Sequence, residues 1–438
     1  MLARIGVGSI EDLFEAIPQS LRLKKPLNLP EGMSEQDVYE HLAAFARRNR
    51  HADEEVTFLG AGMYDHYQPA LIDTLISRSE FITPYTPYQP EVSQGSLQAM
   101  FEYQTAISEL TGLPVSNAAL YEGPSSVASA GYLALQEFKG ARRRFVVSRG
   151  MHPHSRETLE TYSAGYGTEV VETALDDKGA TDLDQLAAAI TDDTAAVFLQ
   201  QPNFLGTVED LGPLVEVAKS KGAIVVAAVD PMTLGILKPP GDYGVDIAVG
   251  EGQPLGNRLD YGGPSFGFFA AQERFIRKMP GRIAGETVDA DGKRGFVLTL
   301  QTREQHIRRE KATHNICTAQ ALNALAGVIY LSWLGKRGVV EIGELMLRRT
   351  AYARESLGLE QINPGPIVRE FAVRVPELDK VVKAAREQGI NPGYRLGRDY
   401  PEYEDGLLIA ITERRTRTDI DRLAGVLAGA RASEHVTA

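Results

Sequence analysis

Residues 223–230 read A-I-V-V-A-A-V-D, an unbroken apolar run closed by Asp230. A strand with one face in water alternates apolar and polar residues. An unbroken run suits a strand buried on both faces, and such strands belong to parallel sheets with helices above and below. The flanking sequence supplies both kinds of element. Strands are expected at 144–148, 168–172, 195–199, 245–249 and 265–270, and helices at 123–139, 182–190 and 208–219. Alternation at these lengths predicts an α/β fold on a mostly parallel sheet. Upstream, Ser93 stands where a helix cap would. Leu97, Met100, Phe101, Ile107 and Leu110 follow at helical spacing, and Gly112 stops that helix.

The ends of the chain read differently. Residues 1–60 are expected to form an N-terminal helical arm, in pieces joined by Pro18, Pro26 and Pro30. Residues 37–48 carry Val38, Leu42 and Phe45 on one face. Residues 61–334 form the expected large α/β domain, closing with helical sequence over 302–334 that is long enough for more than one helix. Residues 335–438 alternate helix and strand again, as a smaller C-terminal α+β domain.

Composition narrows the function. The 438 residues are 43% hydrophobic and 24% charged, ordinary for a globular protein with a large core. A net charge of −12 argues against nucleic acid or an anionic membrane as the main partner. The single cysteine, Cys317, rules out an internal disulfide and a multi-cysteine zinc site. No apolar signal core follows Met1-Leu2-Ala3-Arg4, and no apolar run is long enough to span a bilayer, so a cytoplasmic protein is expected.

In open parallel sheets, ligands bind at the carboxyl ends of the strands. Gly123-Pro124-Ser125-Ser126 falls there, either as an anion cradle at a helix N-terminus or with Ser125 as a plain cap. Asn203 ends one strand, offering an amide or an Asx turn. Asp230 ends the next, offering a carboxylate to a protonated ring nitrogen or capping a turn. His152 and His154 have the spacing of a zinc pair, but no third ligand accompanies them, and no metal is expected. A ring stacked on or bonded near a ligand, or a solvent-facing loop histidine, are the other readings.

Before the helix of Leu97 lies Y-T-P-Y-Q-P-E, residues 85–91, with a further proline at 84. Prolines at 84, 87 and 90 predict a stiff polyproline rod with Tyr85, Tyr88 and Glu91 along one edge.

Four stretches resemble one family. T-P-Y-Q-P-E-V-S-Q-G-S-L-Q-A-M-F-E-Y-Q-T (86–105), D-P-M-T-L-G-I-L-K-P-P-G-D-Y-G-V-D-I-A-V-G-E-G-Q-P-L-G (230–256), T-R-E-Q-H-I-R-R-E-K-A-T-H-N-I-C-T-A-Q-A-L (302–322) and A-I-T-E-R-R-T-R-T-D-I-D (410–421) are similar to the glycine decarboxylase of the glycine cleavage system. The resemblance is to the first chain of its two-chain form, and it implies the fold type I architecture of pyridoxal-phosphate enzymes. Such an enzyme needs a lysine amine to hold its cofactor. In the family's catalytic half that lysine lies just before the Gly-rich turn, here Gly262-Gly263-Pro264, and Gln253 occupies the matching place. No lysine lies between Pro239 and Arg277, with Lys238 too early and Lys278 too late.

The resemblance therefore implies glycine dehydrogenase (aminomethyl-transferring) activity shared between two chains. A second subunit would bind pyridoxal phosphate, glycine would lose carbon dioxide there, and the aminomethyl group would pass to the lipoyl arm of the carrier H-protein. The family suggests two unlike pairs. Tyr85, Tyr88, Gln89 and Glu91 are expected to reach the partner's active site, while Ser125, Ser126, His152, Asn203 and Asp230 line a vestigial cofactor pocket. Two rivals remain. One is a structural partner that adds nothing to that site. The other is an autonomous aminotransferase- or desulfurase-like enzyme using Lys238 or Lys278.

Overall fold

The structure is a computed structural model that describes residues 1–259, 263 and 265–432. Gly262 and Pro264 of the expected turn lie outside the described residues. The chain divides into two compact units, 1–51 and 52–438. In the first, Ser34 accepts a hydrogen bond from the Asp37 amide at 3.2 Å and caps helix α1 (Glu35–Ala46). The remainder of this unit is short turns of helix, punctuated by its prolines.

The second unit is organised around a seven-stranded sheet. In chain order its strands are β1 (Val115–Ser116), β2 (Arg144–Ser148), β3 (Glu169–Thr173), β4 (Thr194–Gln201), β5 (Ile224–Val229), β6 (Ile247–Glu251) and β7 (Gly267–Ala271). Their spatial order is 1-7-6-5-4-2-3. The pairs from β6 through β5, β4 and β2 to β3 are parallel, while β7 runs antiparallel to β6 and to β1. The apolar run that opened the reading is β5, buried at every position. It lies inside the sheet because it has no polar face to turn to water.

Helices cover both faces of the sheet. Helix α2 (Gln94–Thr111) starts at Ser93 and stops at Gly112, as the sequence predicts, although Ser93 makes no side-chain cap bond. Gly112 takes φ 67°, the left-handed conformation that ends helices cheaply only at glycine. Helix α3 (Gly123–Glu137) follows β1, and α4 (Pro153–Tyr166) follows β2. One buried cluster includes Ile107, Val197, Val225 and Phe268, and another includes Val127, Phe145, Phe198 and Phe269. The alternating side chains of β4 and of β7 supply both.

The stretch expected as helix over 302–334 is corrected. Residues 301–311 form single helical turns, and a continuous helix starts only at Ala321. The buried Arg303 guanidinium explains the difference. It donates to the carbonyls of Leu300 at 3.1 Å, Gly281 at 3.0 Å and Met279, tying this segment to loop backbone rather than leaving it free to wind. Helix α5 (Ala321–Leu357) is interrupted at Gly335, where φ 61° and ψ 178° break the helical geometry. Beyond it lies a three-stranded antiparallel sheet, Glu370–Arg374, Gly406–Ala410 and Tyr394–Arg395, packed against helices Leu378–Glu387 and Arg417–Ala432.

Candidate functional site

The sheet order reverses direction between β2 and β4, the place where open α/β sheets leave a crevice at their carboxyl ends. A cavity of about 410 Å³ lies there, lined by Gly123, His152, Asn203, Asp230, Glu251 and Arg369 among others. That is ample for a small ligand. Of the five residues expected to line it, His152, Asn203 and Asp230 do and Ser125 and Ser126 do not, and the hydrogen bonds of all five are already committed.

At the N-terminus of α3, two carboxylates stand on the amides that would cradle an anion. Glu251 Oε2 accepts from the Gly123 amide at 3.0 Å, and Glu122 Oε1 accepts from the Ser125 amide at 3.0 Å. The Ser125 and Ser126 hydroxyls turn back to the Glu122 carbonyl at 3.3 and 2.8 Å. Burial pushes the Glu251 carboxyl up to about 7, against the lowering effect of bonds from Gly123, Gln253 and Ser265. The helix end carries its own acid.

Gln253 is 1% exposed. Its Oε1 accepts from the Tyr64 amide at 2.9 Å, and its Nε2 donates to the carbonyls of Tyr64 at 3.1 Å and Asn257 at 2.8 Å. Asp230 Oδ2 pairs with Arg369 at 2.6 Å, while its Oδ1 accepts from the Met232 amide at 3.0 Å. Arg369 lies over the Tyr64 ring, 3.3 Å from its centroid, and contacts His66 Nε2. His66 in turn meets Glu413 at 2.6 Å.

His152 cannot ligate a metal as placed. Its Nε2 contacts the Ala61 carbonyl at 2.8 Å and its Nδ1 accepts from the His154 amide at 3.1 Å, so both nitrogens are occupied. Burial holds this ring down at about 4, so it is neutral. It meets Phe204 edge-on, with centroids 4.9 Å apart. Asn203 makes the Asx turn: Oδ1 accepts from Leu205 and Thr207 amides, each at 3.1 Å, and Nδ2 donates to Gly179 and Glu209.

Pyridoxal phosphate requires an amine, an open cradle for its phosphate and a carboxylate free for its ring nitrogen. Here the amine is a bonded amide, the cradle holds carboxylates, and Asp230 is paired with a guanidinium. The residues present do not fit that group. Lys238 sits over the Tyr243 ring at 4.3 Å and Lys278 pairs with Glu137 at 2.5 Å, and neither lines the cavity.

Glu122, Glu251, Arg369, Glu370 and Tyr64 are cavity residues that sequence reasoning missed. Tyr64 donates to Glu370 at 2.5 Å, and burial raises the Glu370 carboxyl to about 6. The one signal available was charge: Arg369 and Glu370 stand at the start of an otherwise apolar strand, V-R-E-F-A-V. The 410–421 motif proves to be a clamp. Glu413 holds His66 and the Tyr67 amide, while Arg414 and Arg415 hold Asp65.

The Pro/Tyr segment lies away from this cavity. Its rod is corrected to a broken one. The Tyr88 amide bonds back to Thr86 at 2.8 Å, and Pro90–Val92 is a turn of 3-10 helix. Proline fixes φ but leaves ψ free, so prolines alone do not enforce a straight rod. Tyr85 is 76% exposed and Tyr88 43%, and Gln89 and Glu91 are exposed as well. Tyr88 is nevertheless held: its hydroxyl accepts from Arg282 at 2.9 Å, and its ring meets His306 edge-on at 5.3 Å. Tyr85 borders a second cavity of about 220 Å³ that Arg282 and Tyr103 also line.

The architecture is that of the fold type I pyridoxal-phosphate enzymes. A solved NifS-like protein covers 86% of this chain at a TM-score of 0.65, and with 14% identity that likeness shows the fold alone. The profile of the glycine cleavage system P-protein matches residues 1–427. This chain belongs to that family. It is 50% identical over 434 residues to a "Probable glycine dehydrogenase (decarboxylating) subunit 1" of Carboxydothermus hydrogenoformans, covering 98% of this chain and 97% of that one. A counterpart of the same description in Brevibacillus brevis is 47% identical, with 98% and 95% covered. The crystal structure of a glycine decarboxylase (P-protein) in inhibitor-bound form is 42% identical, with a TM-score of 0.89 and 98% and 97% covered. Among the described residues, no helix is long and apolar enough to cross a membrane.

Proposed function

We propose that this chain is the first subunit of a two-chain glycine dehydrogenase (decarboxylating), the one without a Schiff-base lysine. It works with a second subunit that holds pyridoxal phosphate. Glycine is decarboxylated there, and the aminomethyl group passes to the lipoyl arm of the carrier H-protein. The observation that carries this reading is Gln253, whose amide is fully engaged where a lysine amine would be needed. A chain so built supports chemistry at another chain's cofactor.

Its contribution is assigned to the Tyr85–Glu91 segment. Arg282 fixes the Tyr88 hydroxyl from behind, so the phenol is presented without first having to be ordered. Tyr85, Gln89 and Glu91 are exposed beside it, as groups that must meet another chain have to be. At the partner's site a phenol and a carboxylate can orient glycine or exchange a proton.

The test pairs this chain with the second subunit and follows carbon dioxide release from glycine. Tyr88→Phe and Glu91→Gln are expected to lower turnover or glycine affinity while the two chains still co-elute. Wild-type kinetics in both variants would reduce this chain to a structural partner.

A further inference from the structure

We infer that the second cavity, beside Tyr85, is a binding site for a small carboxylate with an apolar body. The site is formed by this chain alone and does not depend on the functional reading above. One wall of the cavity is the start of helix α5, where Thr318, Gln320, Ala321 and Leu322 line it. The first amides of a helix have no acceptor within it, and the helix dipole places partial positive charge there. At α5 nothing else supplies an acceptor. Gln320 stands at the cap position without a side-chain bond, and the first turn holds no acid. Among the described residues, the amides of Ala321 and Leu322 donate to nothing. The N-terminus of α3 is built the opposite way, with Glu251 and Glu122 on its amides.

A helix start alone is no binding site, and a buried arginine gives a second, independent reason. Arg282 lines the same cavity and is 5% exposed. One terminal nitrogen donates to the Tyr88 hydroxyl at 2.9 Å, but its Nε has no hydrogen-bond partner among the described residues. Glu304 Oε2, at 3.8 Å from that Nε, lies too far to accept one. Tyr103 lines the cavity as well, 1% exposed, and its hydroxyl is also unbonded among the described residues. Buried polar groups are nearly always hydrogen-bonded, so two such residues on one cavity require an explanation.

The chemistry of these groups identifies the ligand. A guanidinium N–H, a phenol and backbone amides are all able to donate, and together they call for an acceptor. With a cation and a helix N-terminus among them, that acceptor is an anion. The remaining walls decide its class. Phe81, Met100, Leu322 and Leu325 present hydrocarbon, and a cavity of about 220 Å³ so lined suits a carboxylate head with a few carbons behind it. Phosphate brings more charge and no apolar part, so these walls would desolvate it without return.

The full-length chain tests this with isobutyrate as the probe, read by calorimetric titration and as a rise in Tm with concentration. Isobutyrate should bind and raise Tm, while phosphate and the neutral isostere isobutyramide should bind about tenfold more weakly or worse. Gln320→Asp places a carboxylate on the α5 amides. It should melt higher than wild type without ligand, since aspartate caps helices well, and should weaken isobutyrate binding roughly tenfold. Arg282→Met should lose binding; if that variant does not fold, the Gln320→Asp result decides. No binding by wild type, or undiminished binding in Gln320→Asp, would overturn the inference. Equal binding of phosphate would show a site for charge alone, and equal binding of isobutyramide a purely apolar one; either would overturn the carboxylate assignment. Binding that disappears when a second subunit is added would overturn it as well, since that chain would then fill the cavity.

Discussion

Replacing Gln253 by lysine restores the missing amine, yet it should produce neither a cofactor adduct nor a stable protein. Gln253 is 1% exposed and makes three hydrogen bonds, one as acceptor and two as donor. An ammonium can still donate to the Tyr64 and Asn257 carbonyls but has no lone pair for the Tyr64 amide. A buried N–H left without a partner costs about 1–3 kcal/mol. Desolvating the amine, or deprotonating it, adds about 1.4 kcal/mol per unit by which its pKa must fall. Together these predict a loss of about 3–5 kcal/mol, at the upper end of single-residue effects. Urea unfolding of the isolated chain measures it as a lower midpoint at an unchanged slope. The same protein, incubated with pyridoxal phosphate, reduced with borohydride and digested, should yield no pyridoxyl-lysine at 253, because Glu251 and Glu122 hold the amides the phosphate would need. A wild-type midpoint together with a stoichiometric adduct would refute the reasoning, and the cavity would then be a cofactor site lacking only its amine.

Glu251 has a raised carboxyl pKa, so the folded chain binds more protons than the unfolded one between about 4.5 and 7, and stability should fall as pH rises across that window. Glu251→Gln should flatten this slope, worth about 1–2 kcal/mol after allowance for solvent reaching in from the cavity, and should cost stability at pH 5 through the lost acceptor; a slope equal to wild type in pH-dependent unfolding would exclude Glu251 as its source. Arg369→Met strands Asp230 and should cost about 3–5 kcal/mol, whereas adding Asp230→Asn should recover much of it. Additive losses in that thermal-unfolding cycle would show the pair to be uncoupled. At Gly62, φ is 101° and an added Cβ would lie 2.7 Å from His152 Nε2, so Gly62→Ala should cost about 2 kcal/mol or more and lower Tm; an unchanged Tm would mean that this loop yields freely.

The sheet was legible because its signal is local. An unbroken apolar run such as 224–229 carries its own burial, and Gly112 ends its helix by the chemistry of one residue. The stretch over 302–320 was misread for the opposite reason. What keeps it from winding is the contact of Arg303 with carbonyls more than twenty residues away, which periodicity does not record. The cavity divides along the same line. Asp230, Asn203 and His152 could be placed because strand ends are predictable. The partner of Asp230 could not, since Arg369 comes from the C-terminal region, and neither could Glu251, which reaches the Gly123 amide from the end of β6. Gln253 is the exception, a residue singled out by the family resemblance rather than by what it touches.

The carboxylate of Glu251 on the Gly123 amide carries a historical consequence. Had only the lysine been exchanged, one codon change would bring it back. With the cradle refilled and Asp230 engaged by Arg369, the route back needs changes at 253, 251 and 369. Each is unfavourable until the others are in place. Proteins sit close to the stability they need, so such a path crosses forms that selection removes. Under the proposed function, the division of labour with a second chain would thereby be hard to reverse, held by a few hydrogen bonds at the carboxyl edge of the sheet.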